Sequence, residues 1–423
     1  MRYKKIKFEN GLRLVTCPMS EMRSITIGIW VGVGGRHEED ALSGVSHFLE
    51  HMLFKGTQKR TAAQISQAIE GVGGSMNAFT AEESTCFYVK VMSDHFNQAI
   101  DVLADMFHSP SFLPKDIDRE RRVILEEFRM NIDQPSHYVF DLLRNVMWPR
   151  HPLGRMLIGT EKTISNIQRK NLIDFKERNY TAENIVVAIA GRMDEKKVID
   201  LVRKKFLFLQ KSGFPGYLRV KDEQKTSQGE ILHKKTEQTH FCIGVRALER
   251  DHPDRFALRV LNAILGENMS SRLFQEIREK LGLSYDINSS VERFSDTGVL
   301  IVSGGVDIRH LPQAIEKTLK ELEKIKKKMV PKRELEMAKE YCVGQMSLAV
   351  EKTSSQMVYI GESELSSGEI LSIDEMIRRV RKVAAEDIQR VSKELFVNHR
   401  LNLAVIGPVS RKEKIKNLLH LNY

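Results

Sequence analysis

Apolar positions recur along this chain in two periods, and the pattern is written twice. Residues Ser24 to Val33 alternate apolar with small residues before a Gly-rich turn, which predicts a strand leaving a sheet. Gln238 to Leu248 does the same in the second half. A helix pattern follows each, over Gly44 to Phe54 and over Asp254 to Leu265. Leu113-Pro114-Lys115 opens a long helical segment through Met130, with Pro at a first-turn position, and Val330-Pro331-Lys332 opens another through Leu348. Each half closes on an apolar strand that ends in Gly, Asn184 to Gly191 and Asn402 to Gly407.

These landmarks keep one order and nearly one separation: Pro331 follows Pro114 at almost the same distance along the chain as Asn402 follows Asn184. Agreement at several points predicts a duplicated α+β unit: two homologous domains, each a mostly antiparallel sheet packed with helices. The join is expected near 206–228, where Gly213, Pro215 and Gly216 precede the polar run Lys221 to Gly229. The expected domains are 1–210 and 229–423, with a linker over 211–228. A length of 423 residues suits two such domains.

Composition narrows the class. With 41% hydrophobic and 29% charged residues the chain reads as globular. The amino terminus carries no apolar leader, and runs such as Ile185 to Ala190 are far too short to span a bilayer. A cytoplasmic protein without a membrane partner is expected. Cys17, Cys86, Cys242 and Cys342 lie far apart with no Cys-x-x-Cys pair, as expected of free thiols in a reducing compartment. The net charge of +10 comes from Lys and Arg interspersed with acids, as in Lys320-Glu321-Leu322-Glu323-Lys324, and no basic box with aromatic residues appears. A nucleic-acid partner is not expected.

The chemistry concentrates in Ser46-His47-Phe48-Leu49-Glu50-His51-Met52. On a helix, i and i+4 lie about 40° apart and i+3 about 60° to the other side, so His47, Glu50 and His51 share a face. Two imidazoles can grip one cation there with a carboxylate beside it, the reverse of the His-Glu-x-x-His order. A catalytic zinc needs a third protein ligand and an open position for water. The run Asp118 to Phe128 supplies candidates: Glu120 and Glu127 are two helical turns apart and face one way. Glu127 is the expected ligand and Glu120 the carboxylate that orients a ligand or the water. Glu126, about 100° around the helix from Glu127, is the weaker candidate.

The stretch Gly44-Val45-Ser46-His47-Phe48-Leu49-Glu50-His51-Met52-Leu53-Phe54-Lys55-Gly56-Thr57 resembles the pitrilysin/insulinase-type inverzincins, and within them the bacterial branch related to mitochondrial processing peptidase. In that family the third ligand is a Glu at a set spacing after the second His, with an acidic residue two helical turns before it. Counted from His51, that spacing lands on Glu127, and Glu120 is the acidic residue. The likeness runs the whole length. Gly73-Gly74-Ser75-Met76-Asn77-Ala78-Phe79-Thr80 resembles the loop and edge strand that pairs with substrate, which makes Asn77, Ala78, Phe79 and Thr80 candidate substrate-binding residues. His151-Pro152-Leu153-Gly154 and Gly159-Thr160-Glu161 resemble a structural segment of the family. Arg278 and Tyr285, seven apart, resemble the pair that holds substrate backbone and the developing oxyanion. The second half has Ala263, Gly266 and Gly344 where ligands would be needed, so one Zn2+ per chain is expected and the second domain becomes a substrate clamp.

The resemblance implies a zinc metalloendopeptidase acting on peptides or unfolded polypeptide segments. Glu50 is expected to take the proton of the activated water, while Arg278 and Tyr285 stabilise the oxyanion. It also implies half of a clam-like chamber, completed by a homodimer or by a heterodimer with a zinc-free homologue. The rival expectation is a non-catalytic assembly subunit, a kind of family member that has usually lost metal ligands.

Overall fold

Eleven strands, assembled into two sheets, carry the architecture of the described residues, 3–213, 216–410 and 412–422, in a computed structural model. Pro215, one landmark of the expected join, lies outside them. The first sheet contains β1 (Lys4–Lys7), β2 (Arg13–Pro18), β3 (Ser24–Val31), β4 (Ser75–Thr80), β5 (Thr85–Met92) and β6 (Ile185–Gly191). Its order is β1-β2-β6-β3-β5-β4. The second contains β7 (Gln228–His233), β8 (Thr239–Ala247), β9 (Ser284–Arg293), β10 (Gly298–Val306) and β11 (Leu401–Gly407), in the order β7-β11-β8-β10-β9. With the outer strand β1 set aside, the two orders coincide. The parallel pairs coincide too: β2 with β6, and β7 with β11, all other neighbours being antiparallel. The expected duplicated α+β fold is therefore present, and β4 and β9 are equivalent edge strands.

Six helices bear on the argument: α1 (Val45–Leu53), α2 (Pro114–Asp133), α3 (Pro135–Met147), α4 (Arg255–Leu265), α5 (Lys332–Ala349) and α6 (Thr353–Ser366). The chain forms two compact units that are not contiguous in sequence. One holds the residues up to Arg129, Arg155–Leu218 and Ser347–Ile373; the other holds Met130–Gly154, Arg219–Met346 and the residues from Asp374 on. Each sheet is thus covered by a helix from the other half of the chain, α6 on the first and α3 on the second.

The alternation in β3 shows how. Ile25, Ile27, Ile29 and Val31 point into the first unit's main core with Phe87, Val89, Val187 and Ile189. Thr26, Gly28 and Trp30 point to the opposite face, where α6 lies. Thr26 Oγ1 bonds Thr353 Oγ1 at 2.9 Å, and Trp30 Nε1 donates to Met357 Sδ at 3.4 Å. A Cβ at Gly28 would collide with Met357 Sδ, so the missing side chain is what lets the helix approach. Gly244 in β8 holds the equivalent place, where a Cβ would stand 2.9 Å from Leu143 and Met147 of α3. The second unit's main core gathers Phe241, Ile243 and Val245 with Leu258, Leu261 and Ile264 of α4.

Candidate metal centre

The first unit's candidate chemistry rests on α1, whose start is set by Gly44. Gly44 has φ +93°, and a Cβ there would collide with the Ile158 carbonyl oxygen. The helix buries Val45, Phe48, Leu49, Met52 and Leu53 in the core, which leaves His47, Glu50 and His51 on the partly exposed face. On α2, Ile117, Glu120 and Ile124 are buried, and Glu127, two turns beyond Glu120, is half exposed.

These two helices bring the expected donors together. His51 Nε2 lies 3.3 Å from His47 Nε2. Glu127 approaches both, its Oε1 3.8 Å from His47 Nε2 and its Oε2 3.7 Å from His51 Nε2. Taking one ligand atom per residue, all three lie within 4.8 Å of one another, the one such group among the described residues. Tetrahedral zinc with bonds of about 2.0–2.2 Å requires donors roughly 3.3–3.6 Å apart, so the set fits that ion with little adjustment.

The protonation pattern fits as well. Burial, and then the neighbouring His51, push the His47 imidazole down to about 3, which keeps it neutral, the form that ligates. Glu120 Oε1 stands 2.9 Å from His51 Nδ1, and its Oε2 stands 2.7 Å from Lys55 Nζ. Burial works to raise this carboxyl, yet the hydrogen bonds from His51 and Lys55 outweigh it and hold it below the ordinary range. An ionised Glu120 fixes the proton of His51 on Nδ1 and leaves Nε2 free to ligate.

Glu50 lies beside this set and accepts a hydrogen bond from Thr80 Oγ1 at 2.5 Å. Burial raises its carboxyl above the usual range, with Thr80 and His51 pulling the other way and Glu127 adding to the rise. Thr80 ends β4, which among the described residues pairs only with β5. Within that strand Phe79 packs on Trp30, with ring centroids 5.5 Å apart, and Asn77 Oδ1 accepts from the Ala78 amide. The expected substrate residues thus sit on an edge strand whose last residue touches Glu50.

Arg278 and Tyr285 are brought together in the second unit. Arg278 lies near the end of a π-helical segment, Phe274–Lys280, and its guanidinium carbon stands 4.5 Å from the centre of the Tyr285 ring. Tyr285, the second residue of β9, is 78% exposed and so keeps its hydroxyl in reach of a ligand. Ala263 is buried, Gly266 abuts Ser289, and Gly344 faces open space, so these positions offer no metal donor. Sequence reasoning missed three partners: Thr80 as the donor to Glu50, Lys55 as the cation on Glu120, and Glu38, taken up below. All four cysteines are buried and free, and no helix among the described residues is long and apolar enough to cross a membrane.

The chain is similar to several known proteins. A family model described as Insulinase (Peptidase family M16) matches residues 15–161, and one described as Peptidase M16 inactive domain matches residues 166–342. An uncharacterized zinc protease of Bacillus subtilis, YmxG, is 37% identical over 405 residues, covering 96% of this chain and 98% of its own. One of Streptomyces coelicolor is 39% identical over 419 residues, covering 97% and 90%. Among solved structures, a protease from Helicobacter pylori superposes with a TM-score of 0.91 at 22% identity, over 96% of this chain and 99% of its own. A Pseudomonas fluorescens structure described as a peptidase M16 inactive domain gives 0.90 at 18%, over 97% and 99%. These two likenesses extend to the fold.

Proposed function

The chain belongs to the insulinase family of peptidases, M16, and is a zinc metallopeptidase; on that premise we propose that it is an endopeptidase whose one zinc is held by His47, His51 and Glu127. The observation that carries this reading is the convergence of two imidazoles and a carboxyl group within 4.8 Å, with Glu50 alongside on the same helix. The chemistry such an ion supplies is Lewis-acid polarisation of a carbonyl and acidification of water.

Everything else falls to the chain's own groups. Glu50 takes the proton from the attacking water and passes it to the leaving amine, a task suited to a carboxyl lifted by burial. Thr80 holds that carboxylate from the end of β4. Substrate lies extended against Asn77, Ala78, Phe79 and Thr80 and adds a strand to the open edge through main-chain hydrogen bonds. Recognition of that kind reads backbone shape before side chains, which favours peptides and unfolded segments. Arg278 and Tyr285, a cation and a phenol side by side, stabilise the oxyanion. The half chamber that the family resemblance implies supports a homodimer, and the buried free thiols suit the cytoplasm.

Cleavage of a quenched, unstructured peptide tests the reading, with wild type and Glu50→Gln compared at equal zinc content. Turnover by the wild type and its loss in the variant are expected. Cleavage retained by Glu50→Gln would overturn the assignment of the base.

A further inference from the structure

The two histidines of the centre are not held alike. His51 has its Nδ1 fixed by Glu120 at 2.9 Å, whereas His47 Nδ1 is buried and has no protein hydrogen-bond partner among the described residues. The direction of His47 therefore depends on the backbone that carries it, the first turn of α1. That turn starts poorly equipped. Its free N–H groups need acceptors, and its cap residue, Gly44, has no side chain to offer one.

Glu38 supplies them from the preceding loop. One carboxylate oxygen accepts the Gly44 N–H at 2.7 Å and the other the Ser46 N–H at 2.8 Å. The residue is 5% exposed, and its loop is tied down by Arg155, whose Nη1 donates to the Glu38 carbonyl at 3.0 Å. The second amide that Glu38 holds belongs to the residue immediately before His47. We propose that Glu38 is a positioning residue of the metal centre: gripping both amides of the first turn, it does for His47 what Glu120 does for His51.

The inference rests on the reading of His47, His51 and Glu127 as zinc ligands, and its test separates the two. Zinc affinity is measured by chelator competition, and the visible spectrum of the cobalt-substituted protein is recorded beside it. Wild type and His47→Ala serve as references; equal zinc affinity in these two would sink the ligand assignment itself. With that assignment intact, Glu38→Gln presents one acceptor and one donor to two N–H groups. It is expected to weaken zinc binding by about tenfold, the loss typical of groups that orient a ligand. The cobalt spectrum should shift and kcat should fall while KM stays within about twofold. Glu38→Asp keeps the carboxyl group but is too short to hold both amides, so a smaller loss in the same direction is expected. Wild-type zinc affinity and an unchanged cobalt spectrum in either folded variant, even with a lower melting temperature, would reduce Glu38 to a structural cap and overturn the proposal.

Discussion

Replacing Glu120 by glutamine keeps the shape of the side chain and removes its charge, and the surroundings make the consequence specific. The carboxylate serves two groups at once, His51 Nδ1 at 2.9 Å and Lys55 Nζ at 2.7 Å. An amide has one oxygen for both. Lys55 can only donate, so the oxygen turns to it and the NH2 faces His51. That pairing demands a bare Nδ1 and moves the imidazole proton to Nε2, the atom 3.3 Å from His47 Nε2 on which ligation depends. Loss of such an orienting partner costs about 10–100-fold in metal affinity, or about 1.4–2.7 kcal/mol. Competition against a chromophoric chelator at fixed pH and ionic strength reads this directly. The double variant Glu120→Gln/Lys55→Met frees the amide oxygen to turn back to His51, so it should bind zinc more tightly than Glu120→Gln alone. Wild-type zinc affinity in Glu120→Gln would refute the reasoning, as would a double variant no better than the single one.

Glu127→Ala should lower zinc affinity by more than about 100-fold, beyond the loss expected from an orienting group. Because its side chain is 48% exposed, metal-free stability should change by no more than about 0.5 kcal/mol in denaturant titrations. Gly44→Ala should cost about 2 kcal/mol or more, since the left-handed φ is strained for alanine and the new Cβ would meet the Ile158 carbonyl; a neutral effect would contradict the described turn. Burial holds His37 down at about 4, with Glu83 opposing and Arg36 assisting. Between about pH 6.5 and 4 the unfolded chain binds a proton at this position that the folded one refuses. Stability should therefore decline as pH falls through that window, by up to about 3 kcal/mol. His37→Gln should flatten that part of the profile.

The helix of the candidate centre was legible because its signal is local. A face that repeats at i, i+3 and i+4 is written in five consecutive residues, and the buried residues of α1 confirm which face looks inward. The strands were legible for the same reason, and the expected segments fall on β3, β8, β6 and β11 to within two residues. The exchange of α3 and α6 was not, because it joins residues such as Thr26 and Thr353 across 327 positions and leaves no periodic trace. Its only mark in the sequence was the pair Gly28 and Gly244, which stand as far apart as the strand ends Gly191 and Gly407. The two asparagines are slightly farther apart because Asn184 precedes β6, whereas Asn402 lies inside β11. Thr80 and Lys55 escaped notice as partners because the contacts of Glu50 and Glu120 are set by the tertiary fold and join segments far apart in sequence.

A crystal structure of the zinc-loaded protein, with an anomalous difference map recorded at the zinc edge, decides whether His47, His51 and Glu127 hold the ion. One peak is expected in the first unit, bonded to His47 Nε2, His51 Nε2 and a carboxylate oxygen of Glu127, with Glu50 beside it and unbonded to the ion. A peak elsewhere, ligation of His51 through Nδ1, or Glu50 in place of Glu127 would contradict it.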